Sequence, residues 1–167
     1  MTISFLKNTG WFLALVLLQA MVMNHICILG YAKPLVYVYL MLIIGSSSSR
    51  VALLLWGFCL GLVVDIFSNT LGLHTVTTTF IGFIRPWVLN LFMTRDNSDN
   101  AIVPGVSTFG PGKFFRYALT LVLIHHIILF VLESFSLFDW LYLLIAVPTS
   151  ALLTTLCAMA IDGICKK

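Results

Sequence analysis

Residues 57–85 have the sequence GFCLGLVVDIFSNTLGLHTVTTTFIGFIR, the stretch on which the interpretation of the whole chain depends. It consists of two apolar runs joined by a short polar turn. Asp65 ends the first run and Arg85 lies inside the second. Almost all other charges lie outside the apolar runs, so these two side chains are exceptional. The stretch predicts two packed helices with an acidic residue at the turn between them.

The composition extends this prediction to the full chain. Of the 167 residues, 60% are apolar and only 9% are charged, and the mean hydropathy is +1.08. A soluble globule needs more polar residues than this to cover its surface. Long apolar runs without strict alternation favour helices as the spanning structures. We therefore expect an all-α, polytopic integral membrane protein that forms one transmembrane helical domain over residues 1–167.

The apolar runs predict about six transmembrane helices. These cover approximately residues 11–29, 35–44, 51–64, 74–93, 114–132 and 137–161. The second and third are short, because a helix of ten residues covers only about 15 Å. Residues 35–64 therefore also fit one interrupted helix. Glycines, prolines and polar residues in the stretch 94–113 predict an irregular loop.

The distribution of Lys and Arg sets the expected orientation. With six spans, one side of the membrane holds both termini and seven basic residues: Lys7, Arg50, Arg95, Lys113, Arg116, Lys166 and Lys167. The other side holds Lys33 alone. Because cytoplasmic loops carry the excess of Lys and Arg, both termini are expected in the cytoplasm. The net charge of +3 is too small and scattered to indicate a nucleic-acid partner.

Gly57, Gly61 and Asp65 recur at intervals of four residues and share one helix face. Small residues at this spacing allow a neighbouring backbone to approach closely. Three roles are open for Asp65. It is a solvated residue at the outer end of the span, it caps backbone amides in the turn between Ser68 and Gly72, or it contacts a partner or ligand.

The next predicted helix has a polar or small face formed by Thr75, Thr78, Thr79 and Gly82. Arg85 lies beside this face. A charge inside a membrane costs a few kcal/mol unless it is paired or reaches the surface. Eleven residues of helix separate Arg85 from His74, about 16 Å of rise, which places Arg85 and Asp65 at different depths. Arg85 is therefore expected to extend towards the cytoplasmic surface.

His125, His126 and Glu133 are the remaining candidates. His126 and Glu133 share a helix face, with about 10 Å between their backbones. Hydrogen bonding between helices would use these groups, and so would a proton relay. The four cysteines contain no CxxC pair. No catalytic, phosphate-binding or metal-binding motif is recognisable, so no catalytic, cofactor-binding or metal-binding residue is expected.

The stretch 57–83 resembles the core pattern of the rod shape-determining protein MreD family. Its matching residues form G-x3-G-x3-D followed by a serine and an LG turn: Gly57, Gly61, Asp65, Ser68, Leu71 and Gly72. FIRPWVLNLF, RDN, a Pro/Gly loop and KFFRYALTLVLIHHIILFVLESF then resemble the version of this family seen in Bacteroidetes. The likeness covers residues 51–136.

The resemblance implies a non-enzymatic component of the bacterial inner (cytoplasmic) membrane that assembles and regulates peptidoglycan synthesis during cell elongation. The implied partners are the periplasmic scaffold MreC, the actin-like MreB and a peptidoglycan glycosyltransferase–transpeptidase pair, together with membrane lipid. The implied fold is similar to the six-helix substrate-binding subunits of energy-coupling-factor vitamin transporters. The resemblance fixes no catalytic residue, so none can be carried over to this sequence.

Three functions are therefore considered. A scaffold of the elongation complex is favoured, because the chain offers packing faces and little mass outside the membrane. A small-solute-binding transporter subunit is the alternative, although the usual A-x3-A docking stripe of the first helix is absent: Ala14 and Ala20 are six apart. An intramembrane enzyme using His125, His126 and Glu133 is the third.

Overall fold

A computed structural model describes residues 2–23, 32–93, 102–133 and 140–165. Within these residues the chain is all-helical, as predicted, and contains no strand. The α-helices in chain order are α1 (Thr2–Met21), α2 (Tyr39–Ile43, preceded by a 3-10 turn at Val36–Val38), α3 (Arg50–Ser68), α4 (Leu73–Phe92), α5 (Val106–Phe109), α6 (Pro111–Glu133) and α7 (Trp140–Cys165).

Three of these helices are long and apolar enough to cross a membrane. They are α3, α6 and the part of α7 between Leu143 and Ile164. Large apolar side chains such as Leu55 and Leu144 are exposed on their outer faces. Soluble proteins rarely expose contiguous apolar surface of this kind. These helices indicate a membrane protein.

Several helix bounds differ from the predicted spans. α3 has 19 residues where only 51–64 was expected. Ser49 caps its start at Arg50, with Ser49 Oγ accepting from Ala52 N at 3.2 Å, and the helix continues past residue 64 to Ser68. α1 begins at Thr2 and ends at Met21 rather than covering 11–29. The predicted irregular loop contains α5, and α6 already begins at Pro111, a residue suited to the first helical position. Residues 24–29, 94–101 and 137–139 of the predicted elements lie outside the described residues.

The predicted second span is not a continuous helix. Its helical part is short: the 3-10 turn at Val36–Val38 runs directly into the five-residue α2, and every residue from 34 to 44 is buried. Its sequence, PLVYVYLMLII, is apolar on all sides, which suits a segment surrounded by protein. We call residues 32–46 the central segment. Because only Val36–Ile43 of this segment is helical, many of its backbone groups lack intrahelical partners and must be satisfied by surrounding side chains.

The central segment runs from one end of the helix bundle to the other. At one end, Lys33 Nζ is 3.4 Å from Glu133 Oε1, where α6 finishes. We call this the turn end, because the α3–α4 turn lies beside it. At the opposite end, Ser46 N donates to Ile102 O at 2.8 Å, and Ile102 N donates to Ser46 Oγ at 3.0 Å. α3 begins just beyond at Arg50, so we call this the Arg50 end.

Candidate functional site

Asp65 lies in the last turn of α3 and holds the start of α4. Its side chain is 5% exposed and accepts four hydrogen bonds. Oδ1 accepts from Thr70 Oγ1 at 2.5 Å and from His74 N at 3.0 Å. Oδ2 accepts from Thr75 N at 2.8 Å and from Thr75 Oγ1 at 2.5 Å. The two amides belong to the first turn of α4, where N–H groups have no intrahelical partner. Asp65 therefore caps α4 from the preceding helix.

This geometry distinguishes between two roles proposed for Asp65. Capping of backbone amides in the turn is confirmed, and solvation at the end of the span is wrong, because the following turn covers the carboxylate. That turn bends at Asn69, with φ 53°, and at Gly72, with φ 80°. Glycine adopts this conformation without steric cost, and asparagine tolerates it better than most residues. Ser68 is the last residue of α3.

Replacing Asp65 with asparagine should weaken this turn. One carboxylate oxygen becomes an NH2 group, which faces N–H and O–H donors and cannot accept from them. We expect the free energy of unfolding in detergent to fall by about 1–2 kcal/mol. Glu133→Gln is the matched control, because it makes the same chemical change at an exposed ion pair and should cost well under 1 kcal/mol. Equal losses for the two variants would contradict the capping role.

Gly57 and Gly61 bring α3 into close contact with α4. A Cβ added to Gly57 would lie 2.6 Å from Thr78 O, and one added to Gly61 would lie 2.5 Å from His74 O. Gly82 of α4 faces a backbone carbonyl of α3 in the same way, at 2.7 Å. Thr78 Oγ1 uses this closeness to reach Gly57 O at 2.6 Å. The predicted close-packing face is confirmed.

Arg85 is 1% exposed and does not extend towards a surface, so that expectation is wrong. Its Nη2 donates to Leu42 O at 3.2 Å and to Ile44 O. These carbonyls end α2, where no further helical N–H is available and the helix dipole is negative. The central segment thus offers Arg85 acceptors inside the protein. Tyr117 also donates to Leu42 O, at 3.3 Å.

Gln19 and Thr154, which the sequence analysis did not single out, satisfy the other end of the central segment. Gln19 Nε2 donates to Pro34 O at 3.3 Å, and its Oε1 accepts from Val36 N at 2.9 Å. Thr154 Oγ1 accepts from Leu35 N at 3.0 Å. Gln19 is a polar residue inside an apolar run of α1, a pattern typical of side chains that face a protein interior.

Asp162 is a second buried carboxylate that sequence reasoning missed. Its Oδ1 accepts from Tyr39 OH at 2.8 Å, and its Oδ2 accepts from Val106 N at 2.7 Å. It therefore joins α7 to α2 and to the start of α5. Asp162 also interrupts an apolar run, the signal that drew attention to Asp65.

His125 and His126 are both buried and both bond to other elements. Tyr37 OH lies 3.1 Å from His125 Nε2 and 2.7 Å from His74 Nδ1, so one hydroxyl joins the two rings. His126 Nε2 lies 3.4 Å from Thr154 Oγ1 of α7. These contacts are the hydrogen bonds between elements that one interpretation expected. Glu133 instead pairs with Lys33 at the turn end.

No protein-family model matches the chain, and neither a curated protein nor a solved structure matches it. The candidate site therefore rests on the chain's own geometry.

A cavity of about 450 Å³ opens at the turn end. Its volume falls within the usual range for small-molecule sites. Lys33, Glu133, His74 and Thr70 supply polar groups. The remaining lining residues are Gln19, Ala20, Met23, Pro34, Leu35, Phe67, Ser68, Leu73, Leu129 and Phe130. Of the residues singled out from sequence, Ser68 and Glu133 line this cavity, whereas Gly57, Gly61 and Arg85 serve packing and capping elsewhere.

Proposed function

We propose that the protein is a non-enzymatic scaffold of the bacterial cell-elongation complex in the inner membrane, acting through protein contacts. The observation that carries this proposal is the role of the residues that resemble the MreD pattern. Gly57 and Gly61 pack α3 on α4, Asp65 caps α4, and Gly72 turns the chain. Residues used in this way make the helical hairpin rigid, and a rigid hairpin presents a fixed surface to a partner.

The tip of this hairpin carries the proposed contact surface. Leu71 is 101% exposed in the turn, and Ile66 and Phe67 before it are more than half exposed. Apolar side chains held at the end of an ordered element are suited to burial against another protein. We propose that this tip contacts a periplasmic MreC-like scaffold. An MreB-like filament and a glycosyltransferase–transpeptidase pair complete the proposed complex.

The proposed orientation has six spans and both termini in the cytoplasm. The central segment counts as the second span in this topology. Arg50 begins α3 and Lys113 lies in the first turn of α6 at the Arg50 end, whereas the described turn end has Lys33 paired with Glu133. The positive-inside rule assigns the Arg50 end to the cytoplasm. The hairpin tip then faces the periplasm.

Replacing Leu71 with glutamate tests the contact role. The side chain touches little of its own protein, so the fold should be unaffected, while a charge would block an apolar interface. We expect recovery of MreC-like and wall-synthase partners in a mild-detergent pull-down to fall at least fivefold. The measurement is quantitative mass spectrometry of the recovered proteins, with thermal unfolding as a check on folding.

Leu91→Glu is the matched control, because Leu91 is also exposed and lies near the opposite end of the same hairpin. It should leave recovery unchanged. Equal recovery with Leu71→Glu and the unaltered protein would contradict the assignment of the tip. Recovery of transport ATPases in place of wall-synthesis proteins would overturn the scaffold proposal itself.

A small-solute-binding transporter subunit is the second candidate, and the cavity at the turn end favours it. Its volume is sufficient for a vitamin-sized molecule. This function requires a soluble ligand and an ATPase partner. Mass spectrometry of the purified protein distinguishes it from the scaffold.

A further inference from the structure

The cavity at the turn end combines two opposite charges with apolar walls. Lys33 Nζ and Glu133 Oε1 lie 3.4 Å apart at its rim, and each side chain is 44% exposed. An exposed ion pair contributes little to stability, about 0–1 kcal/mol. A ligand that carries both an anionic and a cationic group can therefore replace the two partners at small cost. Leu73, Leu129 and Phe130 offer apolar contact beside these charges.

The third polar group of the cavity is His74, and its proton position follows from its neighbours. Tyr37 OH bonds to both His74 Nδ1 and His125 Nε2, but it carries only one proton. His125 Nδ1 is buried without a partner among the described residues. A buried N–H without an acceptor is rarer than a buried acceptor without a donor. The proton of His125 therefore lies on Nε2 and is donated to the Tyr37 oxygen.

This assignment fixes the direction of the remaining hydrogen bond. Tyr37 donates its own proton to His74 Nδ1, so His74 carries its proton on Nε2. Nε2 makes no hydrogen bond to another described residue, and His74 lines the cavity. The buried Tyr37–His125 pair thus fixes the tautomer of His74. As a result, His74 Nε2 presents an N–H donor to the cavity, in addition to the Lys33 ammonium.

We propose that this cavity binds a phosphoethanolamine group. Its phosphate oxygens accept hydrogen bonds from Lys33 Nζ and His74 Nε2, and its ammonium donates to the Glu133 carboxylate. The apolar walls place the rest of the ligand against Leu73 and Phe130, which suits a membrane lipid with this headgroup. The site lies beside the hairpin tip and shares Phe67 with it, but headgroup binding does not depend on the contact function proposed above.

Native mass spectrometry with matched lipids tests the proposal. The full-length protein in detergent is offered equal amounts of phosphatidylethanolamine and phosphatidylglycerol with identical acyl chains. Both lipids carry the phosphate, and only the first carries the ammonium. We expect at least fivefold more phosphatidylethanolamine adduct, because one additional charge-assisted hydrogen bond forms. Equal adducts would overturn the proposal.

Variants of the rim charges separate the two halves of the ligand. Glu133→Gln should bring the ratio of the two lipids close to one. Lys33→Met should reduce both adducts about fivefold or more, because it removes a phosphate donor. Lys7→Gln, an exposed charge change twelve residues before Gln19 in α1, should alter neither. An unchanged ratio in Glu133→Gln, or an equal effect of Lys7→Gln, would also overturn the proposal.

A soluble competitor identifies the source of the group. Glycerophosphoethanolamine carries the same headgroup without acyl chains. Displacement of the lipid adduct by this compound supports a headgroup site that also accepts soluble ligands. Retention of the adduct supports a lipid site in which the acyl chains are required. The lipid ratio remains the decisive measurement in either case, and partner recovery by the Leu71→Glu variant is scored separately.

Discussion

Replacing Gly61 with alanine is expected to force α3 away from α4 and to lower the free energy of unfolding by about 2–3 kcal/mol. The added Cβ would lie 2.5 Å from His74 O and would also overlap Thr75 Cα and Thr78 Oγ1. Two of these three obstacles are backbone atoms, so rotation of a side chain cannot relieve the overlap. The helices themselves must move, and this movement disturbs the amides of α4 that Asp65 holds. Chemical unfolding in detergent, followed by circular dichroism, measures the loss.

Gly10→Ala provides the control for this variant. Gly10 lies in α1, and nothing lies within 4 Å of a Cβ added there. Alanine is a better helix former than glycine by about 1 kcal/mol, so this variant should be neutral or more stable. The same propensity gain acts at Gly61, so a loss of stability there must come from the overlap between the helices. Gly61→Ala with unaltered stability would mean that the helices are not in close contact.

The helical hairpin is the part of the structure that the sequence predicted best. The spacing of Gly57, Gly61 and Asp65 defines one face by helix geometry alone, and the turn residues between Ser68 and Gly72 restrict where the chain can bend. Such local patterns need no knowledge of the rest of the fold. The sequence therefore predicted the packing face and included capping among the roles of Asp65.

The central segment is the part that the sequence did not predict. An apolar run of ten or eleven residues has the same composition whether it crosses a membrane as one helix or passes through a protein interior as a partly helical segment. The difference depends on side chains that are distant in sequence: Gln19 of α1 bonds at Pro34 and Val36, and Thr154 of α7 bonds at Leu35. No local periodicity contains these pairings.

The cavity at the turn end was missed for the same reason, because Lys33 and Glu133 are 100 residues apart.

Arg85 shows how the unpredicted structure of the central segment changes the interpretation of a single residue. Without acceptors in the protein, a charge in a helix of a membrane protein is expected to reach for the surface. The C-terminal end of α2 supplies those acceptors, because its last carbonyls have no helical partner. The burial of Arg85 and the end of α2 inside the protein therefore depend on each other.

Arg85→Met should consequently destabilise the protein by about 3 kcal/mol. The substitution leaves Ile44 O without its described donor and leaves Leu42 O with Tyr117 OH alone. It also removes the cost of an unpaired Arg in the unfolded, membrane-embedded chain, so both changes lower the free energy of unfolding.

Arg85→Lys keeps the charge, but lysine has a shorter reach and lacks the planar fork of arginine. This variant should therefore lose roughly half as much stability. Arg116→Met, at an exposed position of α6, should change stability by less than about 0.5 kcal/mol. Chemical unfolding in detergent compares the three variants. A stability for Arg85→Met equal to that of Arg116→Met would show that the end of α2 does not need the guanidinium.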